Sequence, residues 1–558
     1  MKYKQLASTF KQLEDTQKTL EKTDILADLF KNNSNDLRDI ILLVNGEPVK
    51  SWEDFDLGIS SRMMVEIIAE ATGFSKEEVE KEWKDKGDLG LAAEELVQNK
   101  KQTRLMSKEL TVERVVEKLR KIARNEKEGI SESVSMDKKK KQVAELISSA
   151  QPLEARYIAR NTLNNLRIGV GEGTIRDALS EAFFEGEYTE DIQKAYDYTN
   201  DFIKVAEACK KDIEEVRKLE IEIYRPVKSM LAKKVETVQE GFEEVNKPAA
   251  IDYKYDGIRA QIHLGKKGAK VYTRRLEDVT KQFPDVAKYV EENVDAETAI
   301  IDAEIVGYNQ EDGSTIPFQK LSQRIKRKYD IQKMKEQVPV QLRPFDVIYL
   351  NGNNTMKKRY DERWEDLRKI VTEQENKIRL VDHKVTDKAE EVNKWQHESL
   401  SKGHEGIMMK SLEAEYKPGS RVGYMVKLKP VMETLDLAII GGEWSEGRRS
   451  GWIGSLKLGC WNQNEQKYEE VGKMATGLTD EQLEEITKRL KPLITSEEGR
   501  DVKTKPEVIV EAEYEEIQKS PTYTSGYALR FPRLKAFRDD KEKADSKEKI
   551  ERLYKDQN

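Results

Sequence analysis

Apolar positions along the chain change their period twice, near residue 220 and near residue 431. Up to about 220 they recur at helical spacing, first in YKQLASTFKQLEDTQ and then in TDILADLFKN, where Thr23 or Asp24 would cap the start. The same spacing predicts helices over 112–125, 139–150, 152–165 and 174–184, with lysines and glutamates alternating on the outer faces. Pro226 breaks the helical pattern, and shorter runs of alternating apolar and polar residues follow. They predict strands at 249–254, 258–264, 269–274, 298–306, 343–350, 406–410 and 424–429, with helices over 282–293, 317–337 and 359–373. From about 431 LDLAIIGGEWSEG, GSLKLGCW and EVIVEAEYEEI read as strands. A helix over 479–491 interrupts them, and DSKEKIERLYKDQN reads as a closing amphipathic helix.

The chain of 558 residues is too long for one core. The pattern divides it into an all-α unit at 1–220, an α+β unit with antiparallel sheets at 221–430 and a β-rich unit at 431–558. Short strands with glycine turns and one inserted helix predict an OB-type five-stranded barrel for the last. Charged residues make up 36%, yet apolar segments recur throughout, so the chain is a folded protein with a densely charged surface. No stretch approaches the length of a membrane span, and the polar N-terminus has no signal-peptide core. Two isolated cysteines, Cys209 and Cys460, form no metal spacing and suit a reducing cytoplasm; four scattered histidines make a histidine metal site or triad improbable. The net charge of −7 argues weakly against a polyanion partner, but it averages several domains. Basic runs at 137–141, 324–328 and 533–541 can build local cationic faces, or be ordinary solvated helix faces.

Three stretches carry chemistry. In AAIDYKYDGIRAQIHL, Lys254 is followed by Asp256 and Gly257 at the junction of two predicted strands. K-x-D-G alone is equally compatible with a solvated loop. In RNTLNNLRIGVGEGTIRDAL, Gly169, Gly171 and Gly173 join two helices beside Arg160 and Arg167. Glycines there expose backbone N–H groups at a helix N-terminus, a natural phosphate seat, so a DNA-backbone contact is expected; a capping loop is the alternative. KGDLGLAAEEL at 86–96 likewise sets two glycines before an amphipathic helix.

Downstream of Lys254 come Arg274 and Arg275 in YTRR, Glu304 in IDAEIVGYN, Phe345 beside Asp346 in RPFDVIYLNG, and Glu405 and Lys410 in HEGIMMK. Lys427 and Lys429 follow in YMVKLKP, then Arg530, Arg533 and Lys535 in YALRFPRLKAFRDDK. This ordered set resembles the nucleotidyltransferase motifs of ATP-dependent DNA ligases and mRNA capping enzymes. The helical first 220 residues, with KGDLG and LRIGVGEGT, look like the DNA-binding domain of archaeal and eukaryotic replicative ligases. The resemblance spans essentially the whole chain and is best to the archaeal ATP-dependent DNA ligases.

It implies an enzyme that seals 5′-phosphate/3′-hydroxyl nicks in duplex DNA during replication, repair and recombination, using ATP and Mg²⁺, with Mn²⁺ as an alternative. Lys254 matches the nucleophile that takes AMP; it must lose its proton, through burial and neighbouring cations such as Arg259 or a metal. Phe345 matches the aromatic that stacks on adenine, with plain core as the alternative. Glu304 matches the ribose contact, with a share in metal binding; Glu405 matches the metal-binding carboxylate. Arg259, Arg274 and Arg421 match phosphate and sugar contacts. Lys427 and Lys429 would flank the α-phosphate, and Arg530 and Arg533 would orient the leaving pyrophosphate. The last domain must then swing away about a hinge at 428–434 to admit DNA.

Two positions depart from the family pattern. Asp252 stands where a glutamate usually contacts the adenine side, and Met425 where an aromatic is common. Gln102, Thr103, Arg104, Leu105 and Met106 lie where some relatives carry a glutamine-led peptide that binds the sliding clamp; the alternative is a linker. A monomer in the cytoplasm is expected. An RNA ligase or capping enzyme would share the Lys254 chemistry but leave the first 220 residues unexplained. An NAD-dependent ligase is disfavoured by the lack of a zinc-finger cysteine cluster. A DNA-binding scaffold with a decayed centre is opposed by the intact Lys254, Glu304, Glu405, Lys427 and Lys429.

Overall fold

The computed structural model describes residues 1–558 except 51, 54–56, 101–108, 125–131, 310–313, 317, 327–330, 431 and 558. The segment 102–106 falls outside the described residues.

Helices run from Tyr3–Asp15 to Ile213–Arg217. The first shows why: Tyr3, Leu6, Ala7, Phe10 and Leu13 share one stripe and are buried. The second helix, Thr19–Asn32, begins a turn earlier than its sequence predicts, with Lys18 at the N-cap. Thr23 lies inside it, its hydroxyl donating to Thr19 O at 3.2 Å, so neither Thr23 nor Asp24 is the cap. Two of the basic runs turn partly inward. Lys139 is buried with its ammonium 3.3 Å from Leu57 O. Arg324 grips Asp285 with two nitrogens at 2.7 and 3.0 Å. Lysine and arginine runs therefore overstate the cationic surface.

The middle of the chain forms two sheets around a common apolar core. One contains β1 (Leu231–Val235), β2 (Ala249–Lys254), β9 (His383–Thr386), β10 (Gly406–Ser411) and β11 (Arg421–Leu428), in the order β1-β11-β10-β2-β9. The other contains β3 (Ile258–Gly265), β4 (Gly268–Thr273), β5 (Ala299–Tyr308), β6 (Thr315–Ile316), β7 (Val340–Leu350) and β8 (Asn353–Asn354), in the order β4-β3-β5-β7-β8 with β6 on β5. Pairing is antiparallel except at one edge, where β1 runs parallel to β11. Nearly the whole domain separates those two strands in sequence, and a parallel pair needs such a long return. The unpredicted strands β1 and β9 are the edges of their sheet; LAKKV and HKVT carry polar residues because one side is solvated. The helix predicted over 317–337 is described as Phe318–Lys326 and Ile331–Gln337.

The last part is strand-rich. β12 (Leu435–Trp444) pairs with β13 (Ile453–Asn462), which pairs with β14 (Lys467–Met474). The same β12 pairs at one end with a later strand, Ile509–Glu513, and at the other with Asp501–Thr504, so the sheet curls about it. The inserted helix is Asp480–Leu490 and the closing one Lys547–Gln557.

This part touches both others. Gly447 N donates to Gly87 O at 3.2 Å, and Lys84 meets Glu497 at 2.8 Å. Arg530 reaches Asp256, just past the end of β2, and Glu515 reaches Lys429, just past the end of β11.

Candidate active site

The K-x-D-G turn is where the chain leaves one central sheet for the other: Lys254 ends β2 and Ile258 begins β3. Gly257 is required by a close approach, because a Cβ there would stand 2.5 Å from Ile305 O and 2.8 Å from Glu304 Cγ. Sheet register supplies the partners. Lys254 pairs with Gly406 on β10, and Glu405 N donates to Lys254 O at 2.8 Å. The Glu405 carboxylate thereby lies 2.5 Å from Lys254 Nζ. Gly406 sits at φ +135°, and a Cβ would strike Leu428 O at 2.3 Å, so β10 and β11 can close up only around glycine. That contact brings Lys429 Nζ to 2.8 Å from the same Glu405 oxygen.

Arg530 completes the group from the C-terminal domain. Its Nη1 is 3.1 Å from Glu516, 3.7 Å from Glu405 and 3.9 Å from Asp256. Lys429 also meets Glu515 at 3.2 Å. Burial pushes the Glu405 carboxyl up, but Lys254 and Lys429 outweigh it and hold it well below the usual range. Burial drives Glu304 up to about 8, with Glu405 adding to the rise and Lys254 and Arg259 opposing it. Burial and then Glu405 raise Asp256 to about 6. Lys427 is pushed down by burial and by the neighbouring ammonium of Lys429.

Beside this cluster lies an apolar recess lined by Phe345, Tyr360, Lys410, Tyr416, Tyr424 and Met425 among others. Arg259 Cζ and Lys410 Nζ stand 5.3 and 5.0 Å from the Phe345 ring centroid. Arg259 donates to Met230 O and Asp302 Oδ2, both at 2.7 Å, while its buried Nε has no partner among the described residues. Tyr416 OH donates to the same Asp302 oxygen at 2.7 Å. Asp252 is buried under the recess, with Lys410 Nζ at 2.6 Å and His383 Nδ1 at 2.7 Å. Although burial works against its charge, those two partners hold the carboxyl down at about 2. Sequence reading quoted Lys410 without a role and missed Tyr360, His383, Tyr416, Glu515 and Glu516. No local signal marks them, since four of the five reach the site only through tertiary folding and His383 through an edge strand.

The recess is narrow as it stands, about 10 Å³, and it lies next to the converging cations. Family models described as "DNA ligase N terminus", "ATP dependent DNA ligase domain" and "ATP dependent DNA ligase C terminal region" match residues 2–180, 229–429 and 449–541. The chain belongs to the ATP-dependent DNA ligases. It is similar to a DNA ligase of Nanoarchaeum equitans, 42% identical over 566 residues covering 99% of this chain and 98% of that protein. It is also similar to DNA ligases of Methanopyrus kandleri, 42% identical over 559 residues (99% of each chain), and Archaeoglobus fulgidus, 40% over 560 residues (100% and 99%). A solved structure titled "Pmar-Lig_Pre." shares the fold, with a TM-score of 0.59 at 16% identity over 96% of this chain and 99% of that one. The activity is ATP-dependent sealing of nicks in DNA.

Not every expected residue of the ligase joins the cluster. Arg421 begins β11, exposed, six residues and roughly 20 Å of extended strand from Lys427. Arg533 is exposed, its stem beside Gly477. Arg274 is exposed at the end of β4 and lines, with Arg275, Lys228, Lys50 and Trp52, a cavity of about 390 Å³ between the helical and central parts. Arg160 is buried, bound to Glu14 at 2.9 and 3.1 Å and to Asp88 at 3.1 Å, so it presents no surface to a DNA backbone. Gly169 closes on the buried ammonium of Lys22, which donates to Ile168 O at 2.7 Å and Gly169 O at 3.1 Å. Gly171 is the N-cap of Glu172–Phe184 with open space around it, and Gly173 lies in that helix's first turn. Arg167, at φ +59°, meets Asp88 at 2.9 Å and also Glu446 of the C-terminal domain.

Proposed function

We propose that Lys254 Nζ attacks the α-phosphorus of ATP. A nitrogen–phosphorus bond forms, the Pα–O–Pβ bond breaks and pyrophosphate leaves. The observation that carries this reading is the convergence of Lys254, Lys429 and Arg530 on the single carboxylate of Glu405. Cations held rigidly around a phosphorus stabilise the charge that gathers there in the transition state. The nick's 5′-phosphate oxygen then displaces Lys254 from phosphorus, giving a DNA-adenylate. The 3′-hydroxyl attacks that 5′-phosphorus and expels AMP, and the nick is closed.

In this scheme Phe345 stacks on adenine and Arg259 and Glu304 hold the ribose side. Lys427 and Lys429 flank the α-phosphate, and Arg530 orients pyrophosphate with Arg533 nearby in sequence. Glu405 and Glu304 suit Mg²⁺, which takes one or two carboxylates and completes its shell with water and substrate phosphate. Among the described residues no group of three acidic, histidine or cysteine side chains is placed to hold a metal ion. When bound, the ion would withdraw charge from the phosphates. Arg274, Arg167 and the open N-terminus at Gly171 are the DNA-backbone contacts we favour. Residues 1–220, 221–430 and 431–558 act as DNA-binding, adenylation and OB-type units, the barrel reading resting on how β12 is shared at its two ends. On sequence alone, 102–106 is an ordinary linker or a clamp-binding peptide, and the protein works as a cytoplasmic monomer.

The test is incubation with α-labelled ATP and Mg²⁺. Covalent label on the wild type and none on Lys254→Ala is expected, discharged by nicked DNA as the strands join. Absence of label on folded, AMP-free wild type would end the reading.

A further inference from the structure

Asp252 stands one methylene short of the glutamate usual at its place, which withdraws its carboxylate by roughly 1.5 Å into the sheet. The space is not left empty. Asp252 on β2 pairs directly with His383 on β9 and with Met408 on β10, and Lys410 is the diagonal neighbour on the same face. Lys410 Nζ closes to 2.6 Å of Asp252 Oδ2 and donates to Tyr360 OH at 3.1 Å. The other oxygen, Oδ1, faces His383 Nδ1 at 2.7 Å. An ionised carboxylate only accepts hydrogen bonds, so the ring carries a proton on Nδ1. Stacking on Trp364, 4.1 Å between centroids at 25°, holds the imidazole in that orientation. What borders the Phe345 recess is therefore the ammonium of Lys410, 5.0 Å from the ring centroid, with Asp252 behind it and His383 behind Asp252.

We propose that His383 is a positioning residue for nucleotide selection: through Asp252 it holds the Lys410 ammonium where it donates to a ring-nitrogen acceptor of the purine. The inference rests on the reading that this recess takes the base. His383 touches no substrate atom. Its contribution is to leave Asp252 one direction in which to hold Lys410, because a carboxylate with a free oxygen could rotate and take the ammonium with it.

The experiment measures label transfer from ATP, 1-deaza-ATP, 3-deaza-ATP and 7-deaza-ATP to the full chain. Wild type is expected to disfavour one deaza analogue through KM, and which one identifies the nitrogen. His383→Ala is expected to raise KM for ATP by roughly tenfold, near the worth of one charge-assisted hydrogen bond, with kcat kept. It should accept that analogue and ATP alike. His383→Asn, whose amide can donate from the position of Nδ1, should restore both KM and discrimination. Equal losses in kcat and KM, discrimination retained in His383→Ala, or a wild type indifferent to all three analogues would each overturn the inference. A wild type that takes no label from ATP would instead defeat the nucleotide reading itself. Thermal melting of both variants guards against misfolding, and the Asn variant decides the matter if the Ala variant melts early.

Discussion

Arg160 and Lys254 are both basic residues held by carboxylates, and they do opposite things. Around Arg160 one guanidinium is met by two acids, Glu14 and Asp88, all within the helical region. Around Lys254 one acid, Glu405, serves Lys254, Lys429 and a more distant Arg530, drawn from two domains. The first group is saturated and buries its charge at a steady state. The second is balanced only across domains: two of its acids, Glu515 and Glu516, sit on the C-terminal domain, which moves in the proposed mechanism. A basic side chain is thus read less by its type or its neighbours in sequence than by whether its counter-charge is complete inside one domain.

The largest effect separating the two groups is chemical. Lys254→Ala should lower ATP-driven sealing on the order of 10⁵-fold, yet still join a nick that already carries a 5′-adenylate, since that last attack does not use its nitrogen. Gel assays on the two substrates measure this; equal loss on both would remove Lys254 from the first step. Next in size, Arg160→Met should cost about 3 kcal/mol of stability, seen in denaturant melts, because among the described residues it leaves Glu14 only Arg156 and Tyr157 and Asp88 only Arg167 as side-chain partners. Label transfer per folded molecule should stay at the wild-type level, and a labelling defect in a stable variant would erase the contrast.

A smaller effect concerns pH. Asp252 has its folded pKa lowered to about 2 from 3.8, so its stabilisation is present above the unfolded value and is lost as pH falls through the folded one. Between pH about 4 and 2 the wild type should lose about 2 kcal/mol that Asp252→Asn never had. Parallel acid melts of the two proteins would contradict it. The smallest effect tests the bridge between regions. Arg167 pairs with Glu446, which Arg500 also holds, so on the proposed DNA contact the C-terminal domain would compete with DNA for Arg167. Arg167→Ala should weaken duplex binding a few-fold and reduce the salt slope by about one, whereas Glu446→Gln should tighten it. Fluorescence titrations at several salt concentrations measure both, and a Glu446→Gln that binds more weakly would break the competition.

Much of this was legible in the sequence because period and motif are local properties. Helical spacing before 220 and alternation after it follow from which side of each element meets the core. Lys254 and Gly257 stand out as K-x-D-G at a strand junction, and Glu405 through the ordered motifs that resemble the family's; the structure adds that Gly257 and Gly406 permit close approaches that any side chain would block. Edge strands such as His383–Thr386 escaped because half their residues face water and blur the alternation.

What the tertiary structure alone decided is where each charge ends. Arg160 and Arg167 stand seven residues apart in one glycine-rich stretch, with nothing in that stretch to distinguish them. One guanidinium is enclosed by Glu14 and Asp88, and the other reaches a domain almost 280 residues away. Likewise Asp252 reads as a shortened nucleotide contact until β9 and β10 bring His383 and Lys410 to either side of it. Sequence determines which residues carry charge and which elements carry them. Coulomb and desolvation energies depend on distance and burial, and both are set only when the domains pack.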